Sequence, residues 1–96
     1  RTRITKAFIS ANAVQPDLGV TCSNQFEIET KRTAIESSLE RFLLVDSSKF
    51  GNVHSGYFAD VDDFQYIITD DSLESDAFQT YLEKGIEIIR VPVERD

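Results

Sequence analysis

With 96 residues, 41% hydrophobic and 28% charged, the chain has room for one small domain with a modest core and the composition of an ordinary globular protein. Its 17 acidic against 10 basic residues leave a formal charge of −7, which argues against nucleic-acid binding by this stretch itself. No apolar run approaches the roughly 20 residues of a membrane helix, and the lone Cys22 has no internal disulfide partner, which favours a reducing, cytoplasmic setting.

The only dense basic cluster, RTRITK at 1–6, is short and has no aromatic interleaving. There is no methionine and the sequence opens on Arg1, so the chain is expected to be part of a longer polypeptide. AFISA at 7–11 is short and apolar, as a strand would be. QPDLG at 15–19 has turn chemistry, because Pro16 presets its own φ and Gly19 accepts a positive one.

A helix is predicted from Asn24, where Asn24 and Glu27 have capping-box spacing. At 100° per residue Ile28, Ile35, Leu39 and Phe42 share a stripe, with Glu29, Glu36 and Glu40 facing away. Lys31 and Arg32 flank the stripe, which suits either snorkelling over the core or a directed role. Strands are predicted at FLLVD (42–46), YIITD (66–70) and IEIIRV (86–91), with GYFAD (56–60) a further candidate. The first two are apolar without alternation, as parallel strands are. Between the last two main strands a helix is predicted over 72–84, capped by Asp71 and Glu74 and ended by Gly85. Its broad apolar face holds Leu73, Ala77, Phe78, Tyr81 and Leu82.

This alternation predicts an α/β domain with a mainly parallel sheet flanked by helices. In such sheets ligands bind beyond the carboxyl ends of the strands. Asp46, Ser47, Ser48, Lys49, Asp70 and Asp71 would then gather on one rim. Lys49 offers a point charge with three donors, suited to a phosphate, and Ser48 a further donor. Asp46 would accept from a sugar hydroxyl or orient the lysine. The competing reading is local: Asp46 and Ser48 cap the next turn and Lys49 is solvated. Spacing alone leaves both open.

Other constellations fail. DVDD at 60–63 lacks the later ligands and central Gly of an EF-hand loop and reads as an exposed turn. His54 and Cys22 are single, so no structural zinc set exists; His54 reads as a loop residue and Cys22 as structural. There is no GxSxG elbow, P-loop or GxGxxG. No metal and no cofactor is expected.

The order AFISANAV, PDLGVTCSN, FEIETKRTAI, LLVDSSKFG, YIITD and GIEIIRV resembles the C-terminal half of DeoR-type transcriptional repressors, with DSSKFG and the ITD strand the most specific parts. The resemblance implies a fragment of a ribose-5-phosphate-isomerase-like sensor domain that binds a phosphorylated sugar effector. It matches Asp46, Ser48 and Lys49 to a D-x-S-K motif in which the lysine holds the phosphate. Lys31 and Glu27 are implied to border the same cleft, and Asp70 stands on the neighbouring strand end. It further implies a homo-oligomer that meets DNA only through an N-terminal winged helix-turn-helix. Neither that domain nor the Gly-rich phosphate loop of the first part of the sensor lies in these residues. The isomerase's KGGGG-type loop also has no counterpart, which disfavours the alternative of a sugar-phosphate isomerase with Glu27 or Asp70 as base. A phospho-accepting receiver is disfavoured too, because AFISAN supplies no acidic pair.

Overall fold

The computed structural model describes residues 4–93. The first three residues of the basic N-terminal cluster lie outside that range. Seven strands and two helices follow in the order β1 (Ile4–Ser10), β2 (Ala13–Gln15), β3 (Gly19–Cys22), α1 (Ile28–Ser37), β4 (Ser38–Leu44), β5 (Gly56–Ala59), β6 (Tyr66–Asp70), α2 (Ser75–Glu83) and β7 (Glu87–Val91). β1, β4, β6 and β7 form a parallel sheet in that spatial order, and β2, β3 and β5 a smaller antiparallel one. The expected α/β class and parallel sheet are therefore present.

The predicted turn at 15–19 is present, but the hairpin built on it was not foreseen. Gln15 Oε1 accepts from the amides of Asp17 and Leu18, and Gly19 sits at φ +91°. A Cβ at Gly19 would stand 2.6 Å from the Tyr57 ring, so a side chain there is excluded by space as well as by φ. Strands of three and four residues are too short to register as hydrophobic periodicity.

Two helix boundaries also differ from expectation. Asn24 Oδ1 accepts from the Phe26 amide, but its Nδ2 donates to Glu27, and the capped element is a 3-10 turn at Gln25–Glu27 that leads into α1. α1 then ends at Ser37, so Leu39, Glu40 and Phe42 belong to β4 and not to a helical stripe. Ser38 turns extended (φ −105°, ψ 146°), and its hydroxyl donates back to the Ala34 carbonyl. Because β6 begins only at Tyr66, the Gln65 carboxamide serves the start of β4, accepting from Arg41 N (2.8 Å) and donating to the Leu39 carbonyl (3.2 Å). A tertiary contact thus overrides the local helical phase.

α2 starts at Ser75, three residues later than expected, with Glu74 in the N-cap position and no side-chain cap bond; the predicted Asp71–Glu74 box does not start this helix. Its C-terminus is as expected. Gly85 has φ +83°, its amide donates to the Leu82 carbonyl, and Ile86 N donates to the Tyr81 carbonyl. That is a Schellman motif, sealed by packing of buried Ile86 and Tyr81 in the core.

The core lies between one face of the parallel sheet (Ala7, Ile9, Leu43, Val45, Ile67) and a layer made of α1, α2 and the small sheet, including Ile35, Tyr81, Phe58 and Val20. Burial alternates over residues 6–10 of β1 and along β6, although both strands carry apolar residues on both faces. The opposite face carries Phe8, Phe42 and Tyr66 stacked ring on ring at 4.6 and 4.5 Å, with Phe8 54% exposed. Leu44 and Val91 are exposed too, and among the described residues no helix packs over this row.

The expected structural roles hold for Cys22, which is buried, and for His54, which is exposed in a loop. DVDD departs in part from an exposed turn. Val61 is buried within it and Asp63 Oδ2 lies 3.6 Å from Arg32.

Candidate functional site

β4 and β6 run parallel and in register, so their carboxyl ends open onto the same edge. There the chain leaves β4 through Val45 and Asp46 into a 3-10 turn, Ser47–Lys49. Asp46 Oδ1 accepts from the Ser48 amide (2.9 Å) and the Ser48 hydroxyl, while Oδ2 lies 3.6 Å from Lys49 Nζ. Asp70, at the end of β6, bridges two loops: Oδ2 accepts from Ser47 N (2.8 Å) and Oδ1 from Ser72 N (2.9 Å). The far side of the loop is tied to β2, with Gly51 N donating to the Val14 carbonyl at 2.7 Å. The structure therefore gathers Asp46, Ser47, Ser48, Lys49 and Asp70 on one rim. Local capping and ligand presentation do not conflict, since the bonds made by the two carboxylates fix the loop from which Lys49 projects.

The Ser48 hydroxyl, first of all, holds the Asp46 carboxyl below the usual carboxylate range. The Ser48 amide and the Lys49 ammonium work in the same direction, and partial desolvation works against them. A folded-state value below the unfolded one means this contact adds stability above the ordinary carboxylate pKa and loses it as pH falls through the folded value. Ser48→Ala removes the largest cause, so the Asp46 carboxyl is expected to titrate nearer its ordinary value of about 3.9. Side-chain carbon NMR across an acid titration measures this, and an unmoved Asp46 midpoint would contradict the assignment.

Lys31 and Glu27 lie at the carboxyl end of β1, which pairs in parallel with β4 with Ser10 opposite Leu44, so they stand on the same edge of the sheet, one strand over from the 46–51 loop. Lys31 Nζ donates to the Ser10 carbonyl, lies 3.5 Å from Glu27 Oε1 and sits 5.2 Å from the centre of the Phe58 ring. No hydrogen bond or ion pair among the described residues joins this pair to the 46–51 loop. Arg32 is tied inward: Nη1 donates to the Phe58 carbonyl at 2.7 Å and Nη2 pairs with Glu36 at 3.3 Å. Lys31 is directed into the protein, while Arg32 divides its guanidinium between the Phe58 carbonyl and the exposed Glu36, so neither is simply snorkelling.

Between the 47–51 loop and α2 lies a cavity of about 440 Å³, within the range of small-molecule sites. Pro16, Ser47, Ser48, Phe50, Glu74 and Tyr81 are among its walls. On the other side of the rim Asp46 and Asp70 border a more open, mostly apolar depression with Leu44, Ile68 and Val91. Tyr81 sits on the predicted apolar helix face, yet sequence reasoning did not place it at the site. No pattern signals it, because its role depends on the loop packed across from it. Among the described residues no group of three or more His, Cys, Asp and Glu side chains has the arrangement of a metal site, and no helix is long and apolar enough to cross a membrane.

The parallel α/β sheet thus carries a D-x-S-K loop at its strand ends, beside a cavity. Residues 1–71 match the family model of the DeoR C terminal sensor domain, and the chain belongs to that family. Its relatives are regulators of transcription. It is 34% identical over 83 residues to the lactose phosphotransferase system repressor of Staphylococcus epidermidis, covering 84% of this chain and 33% of the repressor. It is 36% identical over 64 residues to the deoxyribose operon repressor of Escherichia coli K12, covering 67% of this chain and 25% of that protein. The HTH-type transcriptional regulator YulB of Bacillus subtilis is 28% identical over 92 residues, covering 96% of this chain and 36% of that protein. The chain thus spans about a third of the length of the regulators it matches.

Proposed function

We propose that the chain is the effector-sensing part of a longer transcriptional repressor of carbohydrate metabolism. It binds a phosphorylated sugar at the carboxyl rim of β4 and β6, and that binding modulates a DNA-binding domain elsewhere in the polypeptide. The observation that carries this reading is the 46–51 loop. Asp46, Ser48 and Asp70 fix its backbone, and Lys49 is left half-exposed beside a cavity of ligand size. The names of two relatives, a lactose phosphotransferase system repressor and a deoxyribose operon repressor, support sugar control as the theme.

An enzymatic reading finds less support. A general base needs a carboxylate free to reach substrate. Both Asp70 oxygens accept backbone amides, and Glu27 is engaged by Lys31 and Asn24. In the sensing reading, assembly as a homo-oligomer and contact with DNA through a winged helix-turn-helix belong to the intact repressor, in the cytoplasm.

An effector alters DNA affinity only if it binds two states of the repressor unequally. Titration of the intact repressor with aldose and ketose phosphates, read by calorimetry and by operator binding, tests the proposal. One sugar phosphate is expected to bind and to shift operator affinity. Absence of binding across the panel, or binding without any shift, would overturn it.

A further inference from the structure

We infer that the cavity between the 47–51 loop and α2 receives the neutral, polyhydroxylated part of the effector, with the Tyr81 hydroxyl as one of its contacts, while the phosphate stays outside at Lys49. This rests on the sensing function proposed above and adds the orientation of the ligand.

Tyr81 links the cavity to the core. Its side chain is 1% exposed and forms a wall of the cavity, with its ring edge-on to Phe50 at 5.4 Å and 68°. Its hydroxyl is not one of the fully buried unpartnered atoms, which among the described residues are Arg41 Nε and Thr69 Oγ1, so it keeps some access to solvent and to a ligand. Among the described residues none of the hydrogen bonds uses this one: burial, and after it the charge of Asp17, push the phenol up to about 12 without any hydrogen-bond contribution. Tyr81 is therefore protonated throughout the physiological range, and its hydroxyl can both donate and accept.

The rest of the lining selects the chemistry. Ser47 and Ser48 bring hydroxyl-bearing side chains and Glu74 a carboxylate that only accepts, whereas Pro16, Phe50 and Leu73 give apolar surface. Ligand hydroxyls satisfy the carboxylate and the phenol, and the C–H faces of a sugar suit the apolar walls. A phosphate inside would meet Glu74, with Asp17 close enough to act on Tyr81, and among the described residues no lysine or arginine lines the cavity. Lys49 follows the cavity-lining Ser48 directly in the same turn and supplies a cation outside it. One loop therefore divides the ligand, sugar on one side and phosphate on the other.

Calorimetry of the protein with five- and six-carbon sugar phosphates, and with inorganic phosphate as the reference probe, tests this. Tyr81→Phe keeps the ring in the core and removes only the hydroxyl. It is expected to weaken the best sugar phosphate about tenfold and leave inorganic phosphate unchanged, as loss of one hydrogen bond predicts. Ala77→Leu, which adds bulk at another wall, is expected to remove the preference for sugar phosphate over inorganic phosphate. If both variants bind sugar phosphate like the wild type while Lys49→Ala does not, the cavity assignment is overturned and the sensing function stands. If the wild type binds no sugar phosphate, both fall together.

Discussion

Phe58→Ala is expected to destabilise the chain by about 3–5 kcal/mol, the range for emptying a buried aromatic site. Phe58 has no exposed surface and lies on β5, where the small sheet meets α1. Its ring lies in the core and also faces the Lys31 ammonium, while its carbonyl accepts from Arg32. Loss of the ring therefore loosens the attachment of α1 and leaves Lys31 without its aromatic neighbour. Small domains hold only about 5–15 kcal/mol in total, so a substitution of this size takes much of the margin. Phe26 is the control, because it is 95% exposed and its replacement by alanine should change stability by no more than about 0.5 kcal/mol. Urea unfolding of the two variants separates these expectations. Matching midpoints would show that the small sheet adds nothing to the fold.

Lys49→Ala is expected to lower affinity for a sugar phosphate by one to two orders of magnitude, because a charge-assisted hydrogen bond contributes about 1.5–3 kcal/mol. Stability should barely change. The Lys49–Asp46 pair spans 3.6 Å between two solvent-accessible side chains, and such pairs contribute about 0–1 kcal/mol. This separation of binding from stability distinguishes a ligand-facing lysine from a structural one. Asp46→Asn should behave differently, because it weakens the acceptor for the Ser48 amide and hydroxyl and so disturbs the loop itself. A calorimetric titration paired with a melting curve for each variant gives both readings. A Lys49→Ala protein that melts early and binds normally would reverse the assignment.

The rim was legible in the sequence because two apolar runs each end on an aspartate, and parallel strands bring such ends to one edge. Strand identity at 66–70 and the glycine stop after α2 followed from local chemistry, since β-branched content and a positive-φ residue act at short range. Leu39 and Phe42 misled, for they fit a helical stripe as well as a strand. Pairing with β1, 34 positions earlier along the chain, decided between the two, and Gln65 adds two hydrogen bonds to the same strand. Lys31 lay outside the reach of pattern for the same reason, with its acceptor, Ser10, 21 residues away. Tyr81 was visible only as an apolar position, because its contact with Phe50 and its place in the cavity wall depend on how the 47–51 loop packs against α2.

The proposed function requires that a sugar phosphate bind where the ends of β4 and β6 meet. Backbone amide NMR shifts, followed while the protein is titrated with a sugar phosphate and, separately, with inorganic phosphate, test it most directly. Sugar phosphate is expected to move the amides of Ser47, Ser48, Lys49 and Gly51 together with those around Leu73 and Tyr81, and inorganic phosphate only those of the loop near Lys49. Shifts confined to the Lys31 side of β1, or to the exposed row of Phe8, Phe42 and Tyr66, would contradict it.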